Sequence, residues 1–207
     1  MNASLSSYAS SMPSDFKVVC NKEDVLLLKD GNEENKNKYR IIFNAHNSNF
    51  PIKAIVGLKL YTLLYELNRD IINTFKVVKE DDTTIETLLF FKPFGKDFGI
   101  SPKCMHTTST IIIDSGSNAC IFDSVDVVDA GGLVSIPKKY ERIQTTHSKL
   151  IIYFLSENDL QFDFTFHLND DDSYEEMSNC PIYMENSVAL MIKKMFCRLK
   201  VFTERMS

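Results

Sequence analysis

Polar and apolar residues alternate along most of this chain, and only twice does the apolar spacing lengthen to that of a helix. Phe16–Leu28 begins with a strand-like stretch, Asp30–Lys38 is a charged turn, and Tyr39–Phe43 (YRIIF) reads as a strand ending at the turn-prone Asn44–Asn49. After Pro51 the period changes: Val56, Leu60, Leu63, Leu64, Leu67 and Ile71 recur three and four residues apart. Lys59, Glu66 and Arg69 fall off that stripe, so the spacing predicts a long amphipathic helix over about 53–72, laid against a sheet. From Thr87 onward strands return as TLLFF (87–91), STIIID (109–114), ACIF (119–122), KLIIYFL (149–155) and LQFDFTFHL (160–168). The last places Leu160, Phe162, Phe164, Phe166 and Leu168 on one face and Gln161, Asp163, Thr165 and His167 on the other. A second helix is predicted over about 185–202, with Val188, Met191, Ile192, Met195, Leu199 and Phe202 inward. The expected fold class is therefore α+β: a twisted antiparallel sheet packed by one long amphipathic helix and a C-terminal helix.

Residues 1–15 are small and polar, too poor in apolar surface to offset the entropy of ordering, and read as a flexible arm; residues 16–207 read as a single globular domain. Composition agrees, since 207 residues with only 7 Gly and 6 Pro leave no room for a Pro/Gly-rich linker. It also excludes collagen-like and disordered classes, and no apolar run reaches the ~18 residues of a membrane span. The first residues lack a signal peptide's charged start and apolar stretch, so the expected location is the cytosolic side. With 23 Lys and Arg against 28 Asp and Glu, net charge −5, bulk charge gives no basis for sequence-specific nucleic-acid binding.

Five cysteines are scattered with no C-x-x-C pair, and Cys104-Met105-His106 is the one close Cys/His grouping, so neither a disulfide framework nor a metal site is expected. The acidic run 169–176 lacks the spaced oxygens of a calcium loop. No cofactor signature is present.

One catalytic candidate exists. Ile111-Ile112-Ile113-Asp114-Ser115-Gly116-Ser117 resembles the active-site strand and turn of aspartic proteases, in which two such aspartates share a proton and activate water. A single copy requires a homodimer of the retroviral type. The supporting hydrophobic-hydrophobic-Gly segment is matched only by Pro181-Ile182-Tyr183-Met184, with Met in the Gly position, and strand-Asp-Ser-Gly is also an ordinary hairpin turn. Other catalytic templates are absent, so no enzymatic activity is expected.

Four pieces in register resemble the rhabdovirus matrix proteins of the vesiculovirus type. Ser48, Asn49 and Pro51, within Asn47–Ile52, resemble that family's strand-to-helix junction, and Thr87–Gly95 its next aromatic strand. Pro137, Tyr140 and Arg142, within Ile136–Arg142, are similar to its hydrophobic-Pro-x-x-aromatic-x-Arg segment; Asp163–Glu176 followed by Pro181–Met184 is similar to its late strand and acidic turn. The resemblance implies a structural virion protein that self-associates and bridges the helical nucleocapsid to the inner leaflet of the host membrane in assembly and budding. Its implied partners are itself, the nucleocapsid, an anionic membrane surface and host factors; its implied locations are the virion, the host cytoplasm and the inner face of the membrane. The alternative of a different class is a host-directed viral binding module without a virion role.

That family's lysine-rich arm and Pro-Pro-x-Tyr signal are missing here, the first basic residue being Lys17. Membrane or nucleocapsid contact is accordingly expected at Lys193, Lys194, Arg198 and Lys200, since each basic residue near an anionic leaflet contributes ~1 kcal/mol; the alternative is a solvated helix face. Phe98, Ile100 and Met105, apolar residues among Gly and Pro, are the expected self-association loop, with packing on their own sheet as the alternative.

Overall fold

Strand chemistry dominates what the chain builds. The computed structural model describes residues 15–32, 37–93, 101–127, 135–143, 147–168 and 183–207, with side chains of the last stretch described from 187 onward. The elements are β1 (Phe16–Lys22), β2 (Val25–Asp30), β3 (Lys38–His46), a short 3-10 turn (Ile52–Ile55), α1 (Leu58–Glu66), β4 (Ile72–Glu80), β5 (Thr84–Phe91), β6 (Lys103–Asp114), β7 (Ala119–Asp126), β8 (Glu141–Arg142), β9 (Ser148–Phe154), β10 (Asp159–His167) and α2 (Tyr183–Arg205). They form a 10-stranded sheet in the order β1-β2-β3-β10-β9-β7-β6-β5-β4, antiparallel along that path, with β8 lying parallel to β6.

The sheet begins with a two-residue turn whose central residues, Glu23 and Asp24, have φ of 61° and 54°, the twist that joins antiparallel strands without splaying them. A bulge between Val18 and Cys20 and two more in the β4–β5 pairing curve the sheet at both ends. The concave side carries the core. There Phe43 stacks on Phe162 with centroids 4.5 Å apart, and Phe196 of α2 packs on both Phe43 and Phe164. Such pairs add about 0.5–1.5 kcal/mol to the burial of the rings themselves.

The long amphipathic helix expected over about 53–72 is not formed, and the sheet is not packed by it. The same apolar positions are divided among the 3-10 turn, an extended Val56 and Gly57, the nine-residue α1, and the turn at 67–71. A 3-10 turn and an α-helix both return an apolar side chain to one face every three to four residues, so the stripe survives the break. The element that lies in the curve of the sheet is α2, 23 residues long. Its fully buried positions are Ala189, Lys193, Met195, Phe196, Cys197, Leu199 and Thr203, a wider arc than a one-sided apolar stripe because the sheet curls round it.

Several polar latches fix α2. Asn47, 3% exposed, donates through Nδ2 to the carbonyl oxygens of Thr203 and Met206, both at 2.8 Å, while its Oδ1 accepts from the amides of Asn49 and Phe50. Buried Asn68, just past α1, donates to Leu64 O at 2.7 Å and to Met195 O at 3.5 Å and accepts from Arg198. Arg198 also forms a two-pronged ion pair with Asp70.

Candidate functional site

Between α2 and the concave face the side chains leave a partly open pocket of about 90 Å³. α1 supplies Leu60, Tyr61, Leu64 and Tyr65; α2 closes the opposite wall with Ile192, Met195, Phe196 and Leu199. The sheet provides the floor, with Leu89, Phe91, Met105, Leu150 and Phe164 as its apolar part.

The floor also carries hydroxyls in strand register. Ser109 of β6 lies opposite Ser124 of β7, and Ser124 opposite Ser148 of β9; one pairing away, Thr87 lies opposite Thr107. The Ser109 and Ser124 hydroxyls are 2.7 Å apart, and Tyr61 Oη reaches down from α1 to within 3.0 Å of Ser124 Oγ. Thr87 and Thr107 are in contact at 3.3 Å, and Tyr65 shares a hydrogen bond with Thr87. Burial pushes both tyrosine phenols above their ordinary value, so both stay neutral donors over the physiological range. Chemically the site is an apolar chamber with a neutral, hydrogen-bonding stripe on its floor.

Sequence reasoning missed these hydroxyls because Ser and Thr in a strand look like its wet face. The available signal was parity: Thr107 and Ser109 share a face with Met105, not with the buried but outward-facing His106, whose Nε2 pairs with Glu86 at 2.8 Å.

Comparison with known proteins gives a fold. No protein-family model matches the sequence, and no curated protein matches it. Solved structures do. The human StarD13 (DLC2) lipid transfer and protein localization domain aligns over 98% of this chain and 95% of its own, with TM-score 0.65 and 11% identity. Human StAR-related lipid transfer protein 5 aligns over 96% and 93%, with TM-score 0.62 and 11% identity, and human STARD10 over 97% and 80%, with TM-score 0.61 and 8% identity. This chain has the StAR-related lipid-transfer fold. At these identities the fold is what is shared.

A StAR-related fold along the whole chain overturns the rhabdovirus matrix resemblance. With it fall the virion, assembly and budding role, the partners drawn from it (a nucleocapsid, an anionic membrane surface, host factors and self-association) and the host-directed viral alternative. The pieces behind the resemblance have local causes. Asn47, next to Ser48, Asn49 and Pro51, makes a side-chain turn that also latches α2. Pro137 accepts from the Tyr140 amide, Tyr140 packs edge-on against Phe90 at 4.6 Å, and Arg142 donates to the carbonyls of Val127 and His106. These residues fasten a crossing segment to the outer face of the sheet.

The remaining sequence candidates are scattered across the StAR-related fold. Asp114 begins the β6–β7 turn, where its carboxylate accepts from Ser117 Oγ at 2.5 Å and from the Gly116 amide at 2.9 Å. Those bonds hold it below the usual carboxylate range in solvent; the segment is a hairpin turn, and the dimeric protease alternative is overturned with the other function readings. Lys193 is 4% exposed, with Nζ donating to Lys22 O at 3.0 Å and lying 3.5 Å from Cys197 Sγ. Lys194 and Arg198 both face Asp70 and rim an open groove on the outer side of α2, while Lys200 pairs with Glu204 at 2.6 Å. The four cations thus do not form one face. Met105 is in the cavity wall; Phe98 and Ile100 lie outside the described residues, as do the residues 1–14 of the predicted arm.

Proposed function

We propose that this protein binds a lipid-like apolar ligand in the chamber between α2 and the sheet, as a carrier or sensor rather than a catalyst. The carrying observation is the chamber itself: apolar on most of its walls and placed beneath the helix in a fold shared with proteins named for lipid transfer. At about 90 Å³ it holds the equivalent of roughly three waters at ~30 Å³ each, against about 300–1,000 Å³ for occupied small-molecule sites. Filling it therefore requires the walls to give. They are built for that, since Met105 and Met195 line the chamber and Met191 packs beside it, and unbranched thioethers re-pack at low cost.

Titration with the neutral dye Nile red tests the reading. Saturable binding with a blue-shifted emission is expected, reduced at least tenfold by Ile192→Trp, which fills the chamber from the α2 side. No saturable binding, or binding indifferent to Ile192→Trp, overturns it.

A further inference from the structure

The chamber floor constrains the head of the ligand. Resting on the lipid-binding reading above, we infer that the ligand is an uncharged amphiphile whose hydroxyl or carbonyl group joins the hydroxyls of Tyr61 and Ser124 on the chamber lining, which Ser109 backs from behind. Each of these hydroxyls offers one donor and two acceptor positions, so contacts among themselves leave capacity for a fourth group of either kind. Ser148, opposite Ser124 on the next strand and lining the same cavity, extends that capacity along the floor. The network is buried: Ser109 is 0% and Ser124 4% exposed. A ligand hydroxyl arriving there exchanges water for partners whose orientation adapts by rotation about a single bond.

An ionised head meets a different environment. Among the described residues that line the chamber no side chain is ionised, and the polar ones are Tyr61, Tyr65, Thr107, Ser124 and Ser148. A carboxylate or ammonium drawn into such a chamber loses its hydration without gaining a counter-charge, a far larger cost than burying a hydroxyl with partners. The titratable groups next to the stripe point away from it: Asp123 and His147, one residue from Ser124 and Ser148, pair with each other on the opposite face of the strands, and Asp123 is felt at Tyr61 only as a charge that keeps the phenol protonated. Farther off, Glu86 shares a hydrogen bond with His106 on the outer face of the sheet, and Asp70 pairs with Arg198 and Lys194 on the outer side of α2. The hydroxyl stripe is thus a polarity filter: it admits neutral hydrogen-bonding heads, and the apolar walls admit the body.

Competition against bound Nile red at neutral pH tests the inference, using dodecanol, dodecane, dodecanoate and dodecylammonium, which share one chain and differ in the head. Dodecanol is expected to displace the dye at about tenfold lower concentration than either ion and at no higher concentration than dodecane. In Ser124→Ala and Tyr61→Phe, dodecanol is expected to weaken about tenfold while dodecane is unchanged, the unchanged dodecane showing that the chamber is intact. Displacement by either ion as good as by dodecanol, or a dodecanol affinity indifferent to both substitutions, overturns the ligand class and leaves lipid binding standing. Failure of Nile red to bind, or of every probe to displace it, overturns both.

Discussion

Asn47 and Thr203 are separated by most of the chain, yet Asn47 Nδ2 lies 2.8 Å from the Thr203 carbonyl oxygen and ties the end of β3 to the last turn of α2. The same amide reaches Met206 O, and the same side chain organises the turn into the 3-10 segment. The C-terminal end of a helix leaves carbonyls without intrahelical partners, and here a buried asparagine supplies the missing donor.

Asn47→Ala removes that donor and leaves buried carbonyls and amides without partners. Urea denaturation is expected to show a loss of about 2–3 kcal/mol. Hydrogen exchange locates it: protection falls first at the C-terminal end of α2, whereas a uniform loss across β3 and β10 argues against a local latch.

The same long-range geometry decides which elements are legible in the sequence. The alternation of Leu160, Phe162 and Phe166 against Gln161, Asp163 and Thr165 marked β10 almost to the residue, because a strand in mid-sheet has one packed face and one open one. Strand β4 went unread: Asn73, Lys76 and Lys79 interrupt its apolar positions, as suits the edge of a sheet. α2 was visible from its apolar spacing, but Lys193 read as a surface cation when it is one of the most enclosed residues of the helix. Its depth depends on β1 and β2 curling over α2, a contact between residues about 170 positions apart. The chamber was invisible for that reason too. Tyr61, Ser109, Ser124 and Ser148 come from four elements, and no local pattern marks a serine as facing a helix instead of water.

Asp70 anchors α2 through Arg198, whose hydrogen bonds hold its carboxyl well below the ordinary value of 3.8. A carboxylate whose pKa falls on folding adds stability that is complete above its unfolded pKa and is lost as pH drops through the folded one. About half of the Asp70 side chain is in solvent, so screening limits the pair to no more than about 1 kcal/mol. Asp70→Asn is therefore expected to be less stable than the parent by up to about 1 kcal/mol near neutrality. The gap should narrow as pH is lowered below 3.8 and shrink with added salt. A gap that widens on acidification contradicts the assignment.

Leu150 sits on the chamber floor, 4% exposed, between the hydroxyl stripe and Phe164. Leu150→Ala removes three methyl or methylene-sized groups from a site whose rigid strands cannot close over the space. Denaturation is expected to show a loss of about 2–5 kcal/mol. Nile red affinity is expected to hold or rise, because the substitution enlarges a chamber that is small for such a ligand. A loss of stability together with a loss of dye binding would place the binding site elsewhere.

Lys193 carries the sharpest contrast between the surface and interior readings of α2. Its ammonium donates to Lys22 O at 3.0 Å, and Cys197 Sγ lies 3.5 Å away, its thiol pushed up by burial. Lys193→Glu directs a carboxylate at that carbonyl inside the fold, where neither partner can donate strongly. A loss above about 3 kcal/mol is expected, visible as a lowered urea midpoint with an unchanged slope. Lys193→Met keeps the length and apolar stem and leaves Lys22 O without its donor, so it is expected to cost less, within about 1–2 kcal/mol. Lys194→Glu, on the exposed side of the same turn, is expected to stay within about 1 kcal/mol of the parent. The order of the three midpoints, Lys194→Glu above Lys193→Met above Lys193→Glu, measures how deeply the sheet encloses α2; equal losses at positions 193 and 194 would mean that both cations face water.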